Sequence, residues 1–204
     1  ALTNSLINGN TISNTVQQGI QIADASGNVT ISNNVITNAN TGADANRGGI
    51  RVRGTSFTGP VNITNNSISG STNGISVPTG ENITGKAISV TNNNLSGNTF
   101  GIKNSGTGLL SATCNWYGGT GATVSPLISG SVTFEPFLTN GTDNNVGAIG
   151  FQPVPNSCSG CSGGGSVTNT NTGESFCSIQ AAIDDADTQN SHTITVAAGT
   201  YKED

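Results

Sequence analysis

Along residues 1 to about 138, short runs of Ile, Val and Leu alternate with Ser, Thr and Asn, and one such run keeps recurring. It reads Ile31-Ser32-Asn33-Asn34-Val35-Ile36, then Ile63-Thr64-Asn65-Asn66-Ser67-Ile68, then Val90-Thr91-Asn92-Asn93-Asn94-Leu95. Ile7-Asn8-Gly9-Asn10-Thr11-Ile12 is a looser copy, and Ala112-Thr113-Cys114-Asn115-Trp116-Tyr117 a degenerate last one. A period of two is that of a strand with one buried face. The density of Asn, Gly and β-branched residues excludes helix here. Aligned on Asn10, Asn34, Asn66, Asn93 and Asn115, the copies are 24, 32, 27 and 22 residues apart. Steps of this size mark the coils of a solenoid, with the variation absorbed in loops.

Each copy is followed by a Gly and an Ile, at Gly19-Ile20, Gly49-Ile50, Gly74-Ile75 and Gly101-Ile102, so two strands per coil are visible. Stacked in parallel about 4.8 Å apart, like residues fall on like residues. Ile31, Ile63 and Val90 then form one interior column, Ile36, Ile68 and Leu95 a second, and Ile20, Ile50, Ile75 and Ile102 a third. The Asn pair sits at the corner between strands, where Asn tolerates left-handed backbone angles. A ladder of stacked Asn10, Asn34, Asn66 and Asn93 would satisfy amides otherwise buried unpaired. The repeat is therefore scaffold.

The coil sequence, with the closing Cys114-Asn115-Trp116-Tyr117-Gly118-Gly119 and the run from Gly130 to Phe137-Leu138, resembles the right-handed parallel β-helix of the pectin-lyase-like superfamily. Similar endings occur in secreted and surface β-helix proteins of bacteria. The resemblance implies an all-β fold over residues 1–138, and it is weak for function, because the same coil hosts lyases, hydrolases, adhesins and fibres.

Residues 139–165 change character: Pro153-Val154-Pro155 and Cys158-Ser159-Gly160-Cys161 precede a Gly tract, as in a linker. Residues 166–204 read as helix then strand. Phe176, Ile179, Ala182, Ile183 and Ala186 have helical spacing with Ser178 as N-cap, and the run from His192 to Lys202 alternates Ile194 and Val196. This segment resembles the amino-terminal cap and first coil of β-helix proteins, yet it stands at the carboxyl end. Phe176, Ile179, Ile183, Ile194 and Val196 are thus expected to dock on a β-helix end of the same or a neighbouring unit. Ala1 starts directly in coil sequence without Met, as in a processed chain or a piece of a longer one.

Composition narrows the function classes. Only 8% of the 204 residues are charged, and the net charge is −5 with six basic residues, too few for a nucleic-acid surface. No apolar run is long enough to span a membrane as a helix. Four cysteines, Cys114, Cys158, Cys161 and Cys177, fit disulfides in an oxidising, extracellular compartment. Cys161 or Cys158 is expected to pair with Cys177 and Cys114 with the other. The same cysteines with His192 could be forced into a zinc site, but the ligand spacing is poor, and no metal or other cofactor is expected.

Candidate chemistry lies on one outward column, Gln21, Arg51, Ser76 and Lys103, with Arg47 and Arg53 beside Arg51. The resemblance implies that Arg or Lys could act as base on acidic polysaccharide. Asp24 and Asp44 lie in loops, and the acidic cluster Asp184, Asp185 and Asp187 is on the cap helix, so neither calcium ligands nor a hydrolase pair is assembled. Outward Ser and Thr, such as Thr30, Ser32, Thr64, Ser89 and Thr91, form a ladder that could meet glycan or ice. Exposed strand positions favour such residues anyway. Trp116 and Tyr117 are expected to cover the end of the last coil. The expectation is a non-catalytic, secreted structural unit that associates head-to-tail with copies of itself, with surface glycans as possible partners. The alternatives are a β-helix lyase or hydrolase, and a glycan- or ice-binding module.

Overall fold

The computed structural model describes residues 3–23, 25, 27–163, 167–199 and 201. Its first part is built in circuits. The chain runs through β1 (Ser5–Asn8), β2 (Thr11–Ser13) and β3 (Ile20–Ala23), then β4 (Val29–Ser32), β5 (Val35–Thr37) and β6 (Ile50–Arg53). It continues through β7 (Val61–Thr64), β8 (Ser67–Ser69) and β9 (Asn73–Val77), then β10 (Ile88–Thr91) and β11 (Phe100–Asn104), β12 (Leu110–Ser111) and β13 (Ile128–Ser129), and β14 (Val132–Thr133). These strands sort into three parallel sheets in the orders β1-β4-β7-β10-β12-β14, β2-β5-β8 and β3-β6-β9-β11-β13. Each circuit visits the sheets in the same sequence.

Two strands per circuit were expected, and a third sheet lies between them. Its strands are three residues long, and in the later circuits it shrinks to isolated parallel bridges, Ser67 to Asn94 and Asn94 to Trp116. Three residues are too short for alternation to show in sequence.

Register brings like residues together. Ile7, Ile31, Ile63 and Val90 are in line on the first sheet, Ile12, Ile36 and Ile68 on the second, and Ile20, Ile50, Ile75, Ile102 and Ile128 on the third. From Ile31 to Val90, from Ile36 to Leu95 and from Ile20 to Ile102 these residues are buried in one core. Ile7 and Ile12, at the first circuit, are only partly buried.

Corners between the first and second sheets carry a left-handed residue: Gly9, Asn33, Asn65, Asn92 and Cys114, with φ of 68°, 53°, 58°, 57° and 55°. Gly and Asn adopt that conformation at least cost. The Gly before each Ile has a different reason. A Cβ on Gly19 would lie 2.7 Å from Ile36 Cγ2 and 2.9 Å from the Gly49 carbonyl, and one on Gly74 would lie 2.6 Å from the Gly101 carbonyl. Backbones of successive circuits meet there without room for a side chain.

The stack closes at Phe137. β15 (Phe137–Leu138) pairs antiparallel with β16 (Cys158–Gly160), and fully buried Phe137 stacks on Phe134 at 6.4 Å. Residues 139–157 do not hang free as a linker between these strands. They form a strap across the corner column: Phe151 N donates to Asn65 O at 2.9 Å, Asn65 Nδ2 donates to Phe151 O at 3.1 Å, and Phe151 is 1% exposed. The described part of residues 166–204 is a three-stranded antiparallel sheet, β17 (Val167–Asn169) between β18 (Ser175–Phe176) and β19 (Ile194–Val196), with α1 (Ile179–Asp184) against it. Ser178 caps α1 as expected, its Oγ accepting from Ala181 N at 3.0 Å. The helix is shorter than its apolar spacing, because Phe176 is taken into β18 and Asp184 and Asp185 oppose the helix dipole at its carboxyl end. Ala1, Lys202 and Asp24 lie outside the described residues.

Candidate functional site

The expected basic column is aligned. Gln21 pairs in register with Arg51, Arg51 with Ser76, Ser76 with Lys103 and Lys103 with Ser129 on the third sheet. Ser76, expected to face outward, is not open to solvent: it is 1% exposed, its Oγ donating to Asn46 O at 3.4 Å. At about 4.8 Å per circuit, Arg51 and Lys103 stand roughly 10 Å apart. Arg51 Nη1 donates to Gln21 Oε1 at 3.1 Å, and Gln18 Nε2 donates to the same oxygen at 3.2 Å. Burial and the neighbouring Arg47 and Arg53 guanidiniums lower the Arg51 pKa. Lys103 lies over the Phe100 ring, its Nζ 5.6 Å from the centroid, a contact that the sequence reading missed.

The other two arginines are paired. Arg47 Nε meets Asp44 Oδ2 at 3.0 Å, and Arg53 Nε meets Glu81 Oε1 at 2.9 Å. Asn73 positions the first pair from beneath, its Nδ2 donating to the carbonyls of Ala45 and Arg47. Glu81 is the functional-looking group that sequence reading passed over. Its other oxygen accepts from Thr55 N at 3.1 Å and from Thr55 Oγ1 at 2.8 Å, beside a cleft of about 350 Å³ lined by Ala23, Arg53, Thr55, Ser56 and Gly80. Desolvation pushes the Glu81 pKa up, but the Thr55 bonds and Arg53 outweigh it and hold the carboxyl below its usual range. Asp44 is also lowered, first by its bond from Asn46 N and then by Arg47, against desolvation. Both carboxylates are thus ionised and committed to partners at neutral pH, which suits anchoring of the arginines. Thr55 and Glu81 are 26 residues apart, so nothing local in the sequence announces their contact.

The Asn ladder is continuous from Asn10 to Asn115. Asn34, Asn66, Asn93 and Asn115 are fully buried, and each Nδ2 of Asn10, Asn34, Asn66 and Asn93 donates at 2.9 Å to Oδ1 of the next. Each Oδ1 also accepts the preceding ladder residue's backbone N–H. These amides are internally saturated, as a scaffold requires. Outward hydroxyl residues also align, with Thr30, Asn62 and Ser89 in one row and Ser32, Thr64 and Thr91 in the next.

All four cysteines are oxidised, as Cys114–Cys158 and Cys161–Cys177, which leaves no thiolate for zinc. His192 instead meets Asn169 Nδ2 at 3.0 Å through its Nδ1. Glu174, Asp185 and Asp187 bring carboxylate oxygens within 4.8 Å of one another. Asp184 is occupied by Gln180, whose Nε2 donates to its carboxylate at 2.8 Å. Tyr117 is inside the core rather than over its end, below Leu95, with its hydroxyl donating to Ala112 O. Trp116 is half-buried beneath Gly141 of the strap.

Of the cap residues, Phe176, Ile179 and Ile194 are partly buried, while Ile183 is 54% and Val196 46% exposed. Two disulfides indicate an oxidising environment, and among the described residues no helix is long and apolar enough to cross a membrane. The chain matches no family model, no curated protein and no solved structure.

Proposed function

We propose that the three parallel sheets are the faces of a right-handed parallel β-helix of the pectin-lyase-like type, and that the chain is a structural, non-catalytic unit of a secreted bacterial filament, adhesin or matrix fibre. The run Cys114 to Gly119 and the recurring Asn pair support the fold. The observation that carries the function is the exposure of Ile183 and Val196 on the cap segment, together with the partly buried Ile7 and Ile12 of the first circuit. Unpaired strand edges and apolar ends template association. The cap of one unit seats on the first circuit of the next, in a heterologous contact that need not close. Whether successive units are linked covalently changes the length of the fibre's chain and not the contact.

Electron microscopy of native material, with intact mass beside it, tests this reading. Thin filaments that are lost on combined Ile183→Asp and Val196→Asp support it. Monodisperse particles at high concentration would sink it.

A second reading is favoured by Gln21, Arg51 and Lys103, aligned on one sheet beside the Arg53–Glu81 cleft. This face suits an anionic glycan, bound without turnover or cleaved as in a lyase or hydrolase. Saturable binding of polyuronate lost in Arg51→Ala supports the binding form, and depolymerisation lost in the same variant supports the enzyme.

A further inference from the structure

Six asparagines begin an Asn-x-Ser/Thr triplet: Asn28, Asn62, Asn65, Asn82, Asn94 and Asn140. In a chain this rich in Asn, Ser and Thr the triplet alone says little. What separates them is the space and the hydrogen bonding that the fold leaves each side chain, since a glycan needs a free, outward amide nitrogen.

Asn65, Asn62 and Asn94 are already committed to the scaffold, and Asn28 and Asn140 are exposed but flanked by residues that are. Asn65 Nδ2 donates to Phe151 O, so a sugar there would evict the strap. Asn62 Nδ2 donates to Asn28 Oδ1 at 3.2 Å, which ties both into the outer face of the first sheet. Asn94 is half-buried and bridged on one side to Ser67 and on the other to Trp116. Asn140 is exposed, but the next residue, Gly141, lies against the Trp116 indole, and Thr139 is bonded twice to Ser157 O.

Asn140 closes an Asx turn, Thr142 N donating to its Oδ1 at 2.8 Å, and Asn82 closes a turn of the same kind but has open space on both sides of it. Asn82 and Thr84 are exposed on either side of Ile83, which is 1% exposed and anchors the segment in the core. Thr84 N donates to Asn82 Oδ1 at 2.9 Å, closing an Asx turn that fixes the oxygen and leaves Nδ2 without a partner among the described residues. Asn82 N is held separately by Thr55 Oγ1 at 2.8 Å. The triplet is flanked by Gly80 and Gly85, each with φ near the left-handed region and open space where a Cβ would stand. A bulky substituent on Nδ2 meets solvent there and breaks no bond of the fold.

We infer that Asn82 is an N-glycosylation site, modified in the oxidising compartment where the disulfides form. Its substrate is a sugar carried on a polyprenyl diphosphate. Asn82 Nδ2 forms a bond to the anomeric carbon, the bond from that carbon to the diphosphate oxygen breaks with its electron pair leaving on the diphosphate, and one amide proton goes to the transferase. No oxidant or reductant is needed. Thr84 is a positioning residue, its hydroxyl and N–H presenting the amide. The inference is independent of filament assembly.

The test is glycopeptide mass spectrometry on the native protein, with the two disulfides verified in the same digest. The expected result is a sugar mass on the peptide containing Asn82 and a bare peptide at Asn65. Thr84→Ala abolishes the modification and Thr84→Ser keeps it, a split that loss of folding would not produce. A bare Asn82 in disulfide-bonded native protein overturns the inference, as does a sugar that persists in Thr84→Ala.

Discussion

Asn34 gives both its backbone N–H, at 3.0 Å, and its side-chain Nδ2, at 2.9 Å, to the single Oδ1 of Asn66, across 32 residues of sequence. Asn66 repeats the pattern on Asn93, and its Nδ2 also reaches the carbonyls of Ile31 and Thr64. One side chain thereby satisfies polar groups of three circuits in a place water does not enter. The ladder is what lets an apolar core turn its corner.

Asn66→Ala strands the Asn34 N–H inside the core and removes the Nδ2 donor from the Asn93 oxygen and from the carbonyls of Ile31 and Thr64. Asn34 Nδ2 keeps the Ile7 and Ser32 carbonyls, and the Asn93 oxygen keeps the backbone N–H of residue 66. A buried polar group left without a partner costs about 1–3 kcal/mol, so a loss in that range is expected. Asn10 is exposed at the first circuit, and Asn10→Ala should cost under about 1 kcal/mol. Urea midpoints of the two variants check the ratio, and equal losses would mean that the ladder does not stabilise through burial.

Gly74→Ala tests close approach rather than backbone freedom, because no positive φ is involved. Its Cβ would meet the Gly101 carbonyl at 2.6 Å and Asn98 Nδ2 at 3.0 Å. Forcing circuits apart costs typically about 1–3 kcal/mol, whereas an Ala that merely replaced a flexible Gly would stabilise slightly. A raised melting temperature in Gly74→Ala would therefore refute the packing argument.

Much of this architecture was legible because it repeats. Ile31, Ile63 and Val90 announce a column by recurring in the same setting, and the Asn pair announces a corner by its residue type. That Cys177 pairs with Cys158 or Cys161 and Cys114 with the other was readable, but which of the two was not; the structure joins Cys114 to Cys158 and Cys161 to Cys177. The strap was not readable, because Phe151 bonds to the backbone of Asn65, and a main chain offers that to any sequence. Glu81 was missed because its partners Arg53 and Thr55 belong to a different circuit, and an isolated Glu in a Gly-rich loop has no periodic signal. Alternation of Ile194 and Val196 announced β19, whereas β17 and β18, three and two residues long, are too short to show one. Of the candidate face, the column was legible and the pairing state of its arginines was not.

The two disulfides should differ in weight. Cys114–Cys158 spans 44 residues and encloses the strap, while Cys161–Cys177 spans 16 and joins β16 to the cap segment. Chain-entropy arithmetic gives about 4 kcal/mol for the longer loop and about 3 kcal/mol for the shorter. Paired Ser substitutions at Cys114 and Cys158 should raise amide exchange across residues 139–157, and the other pair should raise it across 175–184. Exchange confined to the cap in both variants would show that the strap holds without its crosslink.

Glu81 predicts an acid limit to stability that can be isolated. Despite the opposing desolvation, its Thr55 and Arg53 bonds hold the folded pKa below the ordinary Glu value of 4.5, so the folded chain binds this proton less readily than the unfolded one. The stabilisation from the carboxylate is then complete above the unfolded pKa and is lost as pH falls through the lower, folded one. Glu81→Gln keeps one acceptor oxygen for Thr55 but removes the charge facing Arg53. At neutral pH this variant should melt below the native protein, and the gap should close as the pH drops below about 4. Every other carboxylate titrates alike in both proteins and cancels in the difference. Melting curves from pH 7 to about pH 3 decide the matter: a gap that stays constant over that range would mean that Glu81 supports the Arg53 side of the cleft through shape alone.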